Sequence, residues 1–228
     1  MKTSQPSKAS AEGRKRVVVV GAGGHARSVC DILLATGAFE IVGLLDPGAG
    51  EGFFDIPVLG GDALLPELIR SDRELGAFVA LGDNRLREEK TRELERLGYG
   101  VVNAVSPHAV VSPHAKLGRG IAIMPGAIVN ACADIGDGCV LNTNCSIDHD
   151  TLVGAFTHIA PGATLCGRVT VGRRCFIGAG ATVIDTLQLG DDLVLGAGAT
   201  AIRSLPGGHT AVGVPARILP GRDGRGTI

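Results

Sequence analysis

Starting at Val105 and stepping by six, every position as far as Leu195 is Val, Ile or Leu. The run passes through Val111, Leu117, Ile123 and their successors, sixteen positions without exception. Chance gives such a fixed-register run on the order of once in 10⁸ trials. Four residues after most of these positions stands a small side chain: Ala109, Ala115, Ala127, Ala133, Cys139, Cys145, Thr157, Ala163, Cys175 and Ala181. A period of six is neither helical nor a simple strand alternation. It describes a short strand that turns a corner after six residues, with one branched and one small side chain pointing inward on each side. Three sides close a coil of eighteen residues, so that residues eighteen apart lie on neighbouring coils. One such coil cannot bury its branched residues alone; stacked coils can, which makes a solenoid. Composition agrees, since 45% of residues are hydrophobic but only 3% aromatic, with no Trp and 35 glycines. The interior is therefore narrow and aliphatic.

The chain ahead of the repeat reads differently. Arg16–Val20 (RVVVV) is strand-like, followed by Gly21-Ala-Gly-Gly-His25-Ala-Arg27, an amphipathic stretch Ser28–Thr36 and a second strand Ile41–Leu45 ending in Asp46. This is the start of a βαβ unit whose Gly-rich turn carries backbone N–H groups to a phosphate at a helix N-terminus. The pattern is G-x-G-x-x-A, with Ala26 in the third glycine's place, and Asp46 falls 25 residues after Gly21, where such folds set a ribose-binding carboxylate. A tight strand–helix turn without a ligand gives the same pattern. Further strands are expected at Ala77–Leu81 and Gly100–Val105, with helices near Leu64–Ile69 and Asn84–Leu97. The unit spans 15–104, about half of a full dinucleotide fold, so a mononucleotide or nucleotide-sugar suits it better than NAD.

The formal net charge of −1 gives no nucleic-acid footprint and no attraction to an acidic membrane. No apolar run reaches the roughly 18 residues that span a bilayer. Residues 1–14 are polar without the apolar centre of a signal peptide, which reads as a disordered leader on a cytoplasmic protein. The six cysteines form no C-x-x-C pair and are expected to be reduced and mostly buried.

The Gly-rich VVGAGGHARSV turn, the Asp-ended second strand, an ALGDN segment and the hexad repeat together resemble one family. It comprises the bacterial nucleotide-sugar N-acetyltransferases and sialic-acid O-acetyltransferases of the NeuD/PglD type, within the hexapeptide-repeat acyltransferases. The resemblance runs from about Arg16 to Arg217 and is most specific over LNTNCSIDHDTLVGAFTHIAPGATLCG, Leu141 to Gly167. It implies that the repeat winds left-handed, as an all-β parallel β-helix over 105–202 behind an α/β half-Rossmann unit, with a C-terminal tail over 203–228. It also implies acetyl-CoA as cosubstrate with no metal, a nucleotide-linked amino sugar (UDP or GDP) as acceptor in glycan biosynthesis, and a homotrimer whose active sites lie between subunits.

The family's N-T-x-x-x-[IV]-[ED]-H-[ED] segment falls on Asn142 to Asp150, which makes His149 the catalytic base and Asp150 the acid beside it, where relatives often carry Glu. The resemblance also implies a place at the substrate for Asn142 and a contact with acetyl-CoA for His158, nine residues after the base. Ala179 and Ala197, one coil apart and flanked by Gly178 and Gly196, match backbone contacts to the coenzyme. The terminal VGVPAR, Val212–Arg217, resembles the G-x-P-A-[KR] ending of such transferases. Nucleotide contacts are expected from Gly23, Gly24, His25, Asp46 and Gly82.

Spacing adds its own argument. His149 stands beside a corner, between Ala131 and Gly167 on the adjacent coils, both too small to crowd a substrate, and the Gly167 N–H is a candidate oxyanion donor. His158 aligns with Val140 and Phe176, a face packed against a neighbour or a cofactor. His25 either contacts nucleotide or packs the turn; His108 and His114 read as surface residues. Cys139, Cys145 and Cys175 fall in inward slots, where packing is favoured over nucleophilic chemistry. The charged run Arg85–Arg96 reads as the solvated face of a helix. Two other functions stay open at this point: O-acetylation of a sialic-acid-type sugar, and a γ-carbonic-anhydrase-like metalloenzyme. A nucleotide-sensing scaffold without turnover is a third.

Overall fold

The computed structural model describes residues 13–48 and 50–223, so all but the last two residues of the expected leader lie outside the described residues. The N-terminal unit runs β1 (Lys15–Val20), α1 (Gly24–Ala35), β2 (Phe39–Leu45), β3 (Val58–Gly60), α2 (Leu65–Ser71), β4 (Gly76–Val79), α3 (Asn84–Leu97) and β5 (Gly100–Val101). All pairings are parallel, in the order β3-β2-β1-β4-β5. Both faces of the sheet are covered, so β1 reads as continuous valine rather than as an alternation. Val17 and Val19 pack on α1, whereas Val18 and Val20 join a second cluster with Leu65, Ile69 and Leu94 from α2 and α3. The order reverses between β1 and β4, and the crevice at a reversal of this kind is where open α/β sheets bind ligands. Gly21 closes β1 at φ +106°, and a Cβ there would lie 2.9 Å from the Ala80 carbonyl oxygen, so no other residue fits.

From Ala104 onward the chain winds through three parallel faces as a left-handed β-helix. The first face holds strands at Val110–Val111, Ile128–Val129, Ser146–Ile147, Thr164–Leu165, Thr182–Val183 and Thr200–Ala201. The second runs from Lys116–Leu117 to Gln188–Leu189, and the third from Ala104–Val105 through Val140–Leu141, His158–Ile159 and Phe176–Ile177. Partners stand eighteen residues apart throughout, as in Ser146 with Thr164 and His158 with Phe176. The hexad residues and the small residues four places on fill one continuous core, from Ile123 and Ala127 to Leu195 and Ala199. Every sixth residue from Gly120 to Gly198 has positive φ, including Asn144 (56°), Asp150 (58°) and Phe156 (60°). That left-handed residue turns each corner within four residues, and it explains why strands of two suffice.

Some boundaries move. The strand expected at Ala77–Leu81 is β4, ending at Val79, and β3 was not foreseen. The strand expected at Gly100–Val105 divides: β5 closes the N-terminal sheet, while Ala104–Val105 opens the third face. Residues 203–223 are not a free tail, because His209–Val212 pairs in parallel with Val194–Leu195 and then antiparallel with Arg217–Asp223. The run Arg85–Arg96 is not simply a solvated face either. Arg87 is 1% exposed, and Arg85 and Glu88 pair with Asp192, Arg173 and Arg174 of the β-helix.

The two units share a core, in which Ala104, Ala122, Met124 and Val140 from the third face meet Ala26, Val29 and Leu33 of α1. Ile159, fully buried in the coil interior, has no room to relax when shortened. Ile159→Ala is expected to lower the unfolding free energy by about 2–5 kcal/mol in denaturant titration; a loss under ~1 kcal/mol would mean that the coil core collapses around the gap.

Candidate active site

The corners between the first and second faces carry His149. Its Nδ1 lies 2.8 Å from Asp150 Oδ2, so the shorter arm of aspartate reaches the ring. A carboxylate only accepts, so this contact fixes the proton of the neutral imidazole on Nδ1 and leaves the Nε2 lone pair free. Both side chains are more than half exposed, at 54% and 55%. Asp148, the other neighbouring carboxylate, does not touch the ring: its Oδ1 accepts from the His149 N–H at 2.7 Å and from Asn130 Nδ2 at 3.1 Å, bracing the corner. The expected column exists, since Ala131 accepts from the Asp150 N–H and His149 from the Arg168 N–H. A Cβ on Gly167 would lie 2.8 Å from both Cε1 and Nε2 of His149, so the imidazole rests where a side chain would otherwise stand.

A second group gathers where the third face turns into the first. Asn142 Oδ1 accepts from the Thr143 N–H at 2.8 Å, which turns its amide to donate to His158 Nε2 at 3.1 Å. His158 also meets Phe176 edge to face, 5.1 Å between centroids. Burial foremost, then the Arg87 charge and His25, pull its pKa down to about 3. The Gly82 backbone opposes that fall, and His25 Nε2 is buried without a hydrogen-bond partner among the described residues. Burial and then Arg87 likewise lower His25 to about 4. On the same corners, Ala179 and Ala197 are exposed and stacked, with the Gly198 N–H donating to the Ala179 carbonyl at 2.8 Å. Gly178 has a purely structural reason to be small, since a Cβ would fall 2.5 Å from the Ala197 nitrogen; on Gly196 it would fall 2.8 Å from Val212 Cγ1.

The N-terminal crevice opens beside this second group. Gly23 caps α1 with no side-chain hydrogen bond. A Cβ at Gly23, Gly24 or Gly82 would meet nothing within 4 Å, which leaves open space over the helix start and the end of β4. Asp46 braces this loop, accepting from the Ala22 N–H at 3.0 Å and the Gly48 N–H at 2.9 Å.

Within one chain, the crevice residues, Asn142, His158 and the Ala179–Ala197 ladder therefore lie together. His149, Asp150 and Gly167 lie on a different edge of the prism, across the width of the first face. His108 and His114 are exposed, and Cys139, Cys145 and Cys175 are buried, their thiols pushed up to about 12 by desolvation. Among the described residues, no three His, Cys, Asp or Glu side chains converge to hold a metal, and no helix is long and apolar enough to cross a membrane. Arg87 and Asn84 were missed; nothing in a run of charges marks which member turns inward.

Comparison with known proteins joins the two halves. The family described as PglD N-terminal domain matches residues 16–94, and the bacterial transferase hexapeptide family matches residues 144–185. The perosamine N-acetyltransferase of Caulobacter crescentus, solved with CoA and GDP-perosamine, is 42% identical with a TM-score of 0.86; the match covers 92% of this chain and 99% of that one. The acetyltransferase domain of PglB from Neisseria gonorrhoeae, solved with acetyl coenzyme A, is 37% identical over 91% of this chain and all of that one, with a TM-score of 0.87. UDP-N-acetylbacillosamine N-acetyltransferase of Bacillus subtilis is 35% identical over 48% of this chain, and the chain spans only about half (51%) of that relative.

The buried histidines set a pH dependence. Both folded pKa values lie below the ordinary 6.5, at about 4 and about 3. As pH falls from 6.5 toward those values, the unfolded chain takes up protons that the folded chain refuses, so stability is retained above 6.5 and lost below it. The urea midpoint should drop between about pH 7 and pH 5, and less steeply in His25→Gln. An equal slope in the variant would contradict this origin.

Proposed function

The chain belongs to the NeuD/PglD-type family of nucleotide-amino-sugar N-acetyltransferases, and we propose that it transfers acetyl from acetyl-CoA to the amino group of a nucleotide-linked 4-amino sugar. The observation that carries this reading is the His149–Asp150 pair, an imidazole held through Nδ1 by a carboxylate at 2.8 Å with its other nitrogen unengaged among the described residues and the side chain exposed. That is the geometry of a general base. The neutral amine attacks the thioester carbonyl carbon, and His149 Nε2 takes the proton that the new C–N bond makes acidic. The tetrahedral oxyanion is held by the Gly167 N–H. Collapse breaks the C–S bond, and the proton passes from His149 to the departing CoA sulfur. Asp150 keeps the ring oriented and stabilises the imidazolium formed in between.

The nucleotide lies in the crevice, its phosphates over the Gly23–Gly24 start of α1 and its ribose near Asp46 and Gly82. The coenzyme's pantetheine arm runs along Ala179 and Ala197, small and exposed on successive coils. His25 Nε2, buried without a partner among the described residues, takes up a hydrogen bond from the bound ligand. The neutral His158 ring, its Nε2 accepting from Asn142, carries its proton on Nδ1 toward the Gly82 backbone. His149 stands on another edge of the same chain's prism, so each site draws its base from one subunit and its coenzyme track from the next. A homotrimer satisfies this arrangement. The Caulobacter relative supports a GDP-linked amino sugar and the Bacillus relative a UDP-linked one.

Release of CoA thiol across a panel of GDP- and UDP-4-amino sugars tests the reading. Wild type is expected to use at least one of them, and His149→Ala to lose about 10²–10⁴ in kcat, the usual share of a positioned base, with the acetyl-CoA KM little changed. Equal rates in wild type and variant would remove His149 from its role.

A further inference from the structure

Arg87 on α3 is a buried guanidinium that, among the described residues, makes no ion pair with a carboxylate. Its Nε donates to the Gly138 carbonyl at 2.8 Å, Nη1 to Leu81 and Gly82 at 3.0 and 3.1 Å, and Nη2 to Phe156 at 3.0 Å and Asn84 Oδ1 at 2.7 Å. Asn84, one turn earlier, donates from Nδ2 to the carbonyls of Arg174 and Cys175 at 3.2 and 2.9 Å. Gly138, Phe156 and Arg174 stand eighteen residues apart, the positive-φ residues of three successive corners between the second and third faces. The Arg87–Asn84 pair thus grips three coils at one end and the turn after β4 at the other. That turn forms one wall of the nucleotide crevice, and Phe156 lies two residues before His158.

Burying a cation whose partners are neutral carbonyls is a costly way to join two domains, and apolar side chains of similar volume would join them more cheaply. What the planar fork adds is direction, since several donors fixed in one plane admit one placement of their acceptors.

We propose that Arg87 is a positioning residue for the transfer: it sets the placement of the nucleotide crevice relative to the coenzyme track on the adjoining corners. This rests on the acetyltransferase reading above. The ion pairs of Arg85 and Glu88 with Asp192, Arg173 and Arg174 hold α3 to the same coils from outside, so the domains stay docked when the fork is lost while their angle is freed.

Arg87→Lys keeps the charge and removes the fork. In this variant kcat/KM for the amino sugar should fall by about a hundredfold, the scale of a reactant misplaced by about 1 Å. The KM for acetyl-CoA, and the binding of GDP or UDP alone by calorimetry, should stay at wild-type values, since each half-site is intact. Asn84→Ala, which leaves Arg87 in place, should show a smaller loss of the same kind and carries the test if Arg87→Lys fails to fold. Wild-type kcat/KM in the folded variants would overturn the proposal. So would a loss shared equally by nucleotide binding, acetyl-CoA KM and turnover, the mark of general destabilisation. If wild type transfers acetyl to none of the amino sugars, the functional reading fails first and the proposal with it.

Discussion

Each strand of the β-helix must find its hydrogen-bond partners one coil further on, and the rest of the structure follows from that requirement. Ile128 N–H meets the Cys145 carbonyl at 2.9 Å, Ser146 N–H meets Ala163 at 2.9 Å, and Thr164 N–H meets Ala181 at 2.8 Å. A coil of eighteen residues satisfies the ladder only if every corner turns in the same number of residues, which the recurring positive-φ residue achieves. Irregularity in one coil would leave buried backbone groups unpaired, at a cost of about 1–3 kcal/mol each. The repeat is thus fixed by hydrogen bonding as much as by aliphatic packing.

Columns are the chemical consequence. A residue at a corner has neighbours set by arithmetic, so a base can be given space by choosing small residues one coil before and one coil after it. His149 has Ala131 and Gly167 in those places, and its ring occupies the space that Gly167 leaves. The exposed Ala179–Ala197 column leaves the same kind of space along successive coils. The prism also separates its edges: the proposed base and the proposed coenzyme track stand on different corners, with the width of one face between them. Oligomerisation is therefore part of the proposed mechanism and not an addition to it.

The solenoid and the pairing partners of its strands were legible because an aliphatic period of six has no other satisfactory solution. The bounds of α3 were legible from local signals, with Asp83 capping the Leu86 N–H at 2.8 Å and Gly98 at φ 89° ending the helix. The division of Gly100–Val105 was not, because one Asn inside an otherwise apolar stretch does not by itself mark a change of sheet. There Asn103 makes the change of domain, donating from Nδ2 to the Gly118 carbonyl and accepting the Ile121 N–H. The strand His209–Val212 was hidden because the hexad breaks after Leu195. Of the candidate site, the column in which each residue stands was legible from the spacing of eighteen; the distribution of these residues over two edges, and the inward turn of Arg87, depend on contacts between segments far apart in sequence.

The proposed division of the site between two chains is tested most directly by mixing two defective proteins. His149→Ala lacks the base but keeps the coenzyme track; Ala197→Trp blocks the track but keeps the base. Each alone should release little CoA thiol from acetyl-CoA and the amino sugar. Co-expressed, they should form mixed oligomers in which some sites join a sound base to a sound track, and activity should return. If the co-expressed protein is as inactive as the separate variants while still exchanging subunits, the site lies within one chain and the account is wrong.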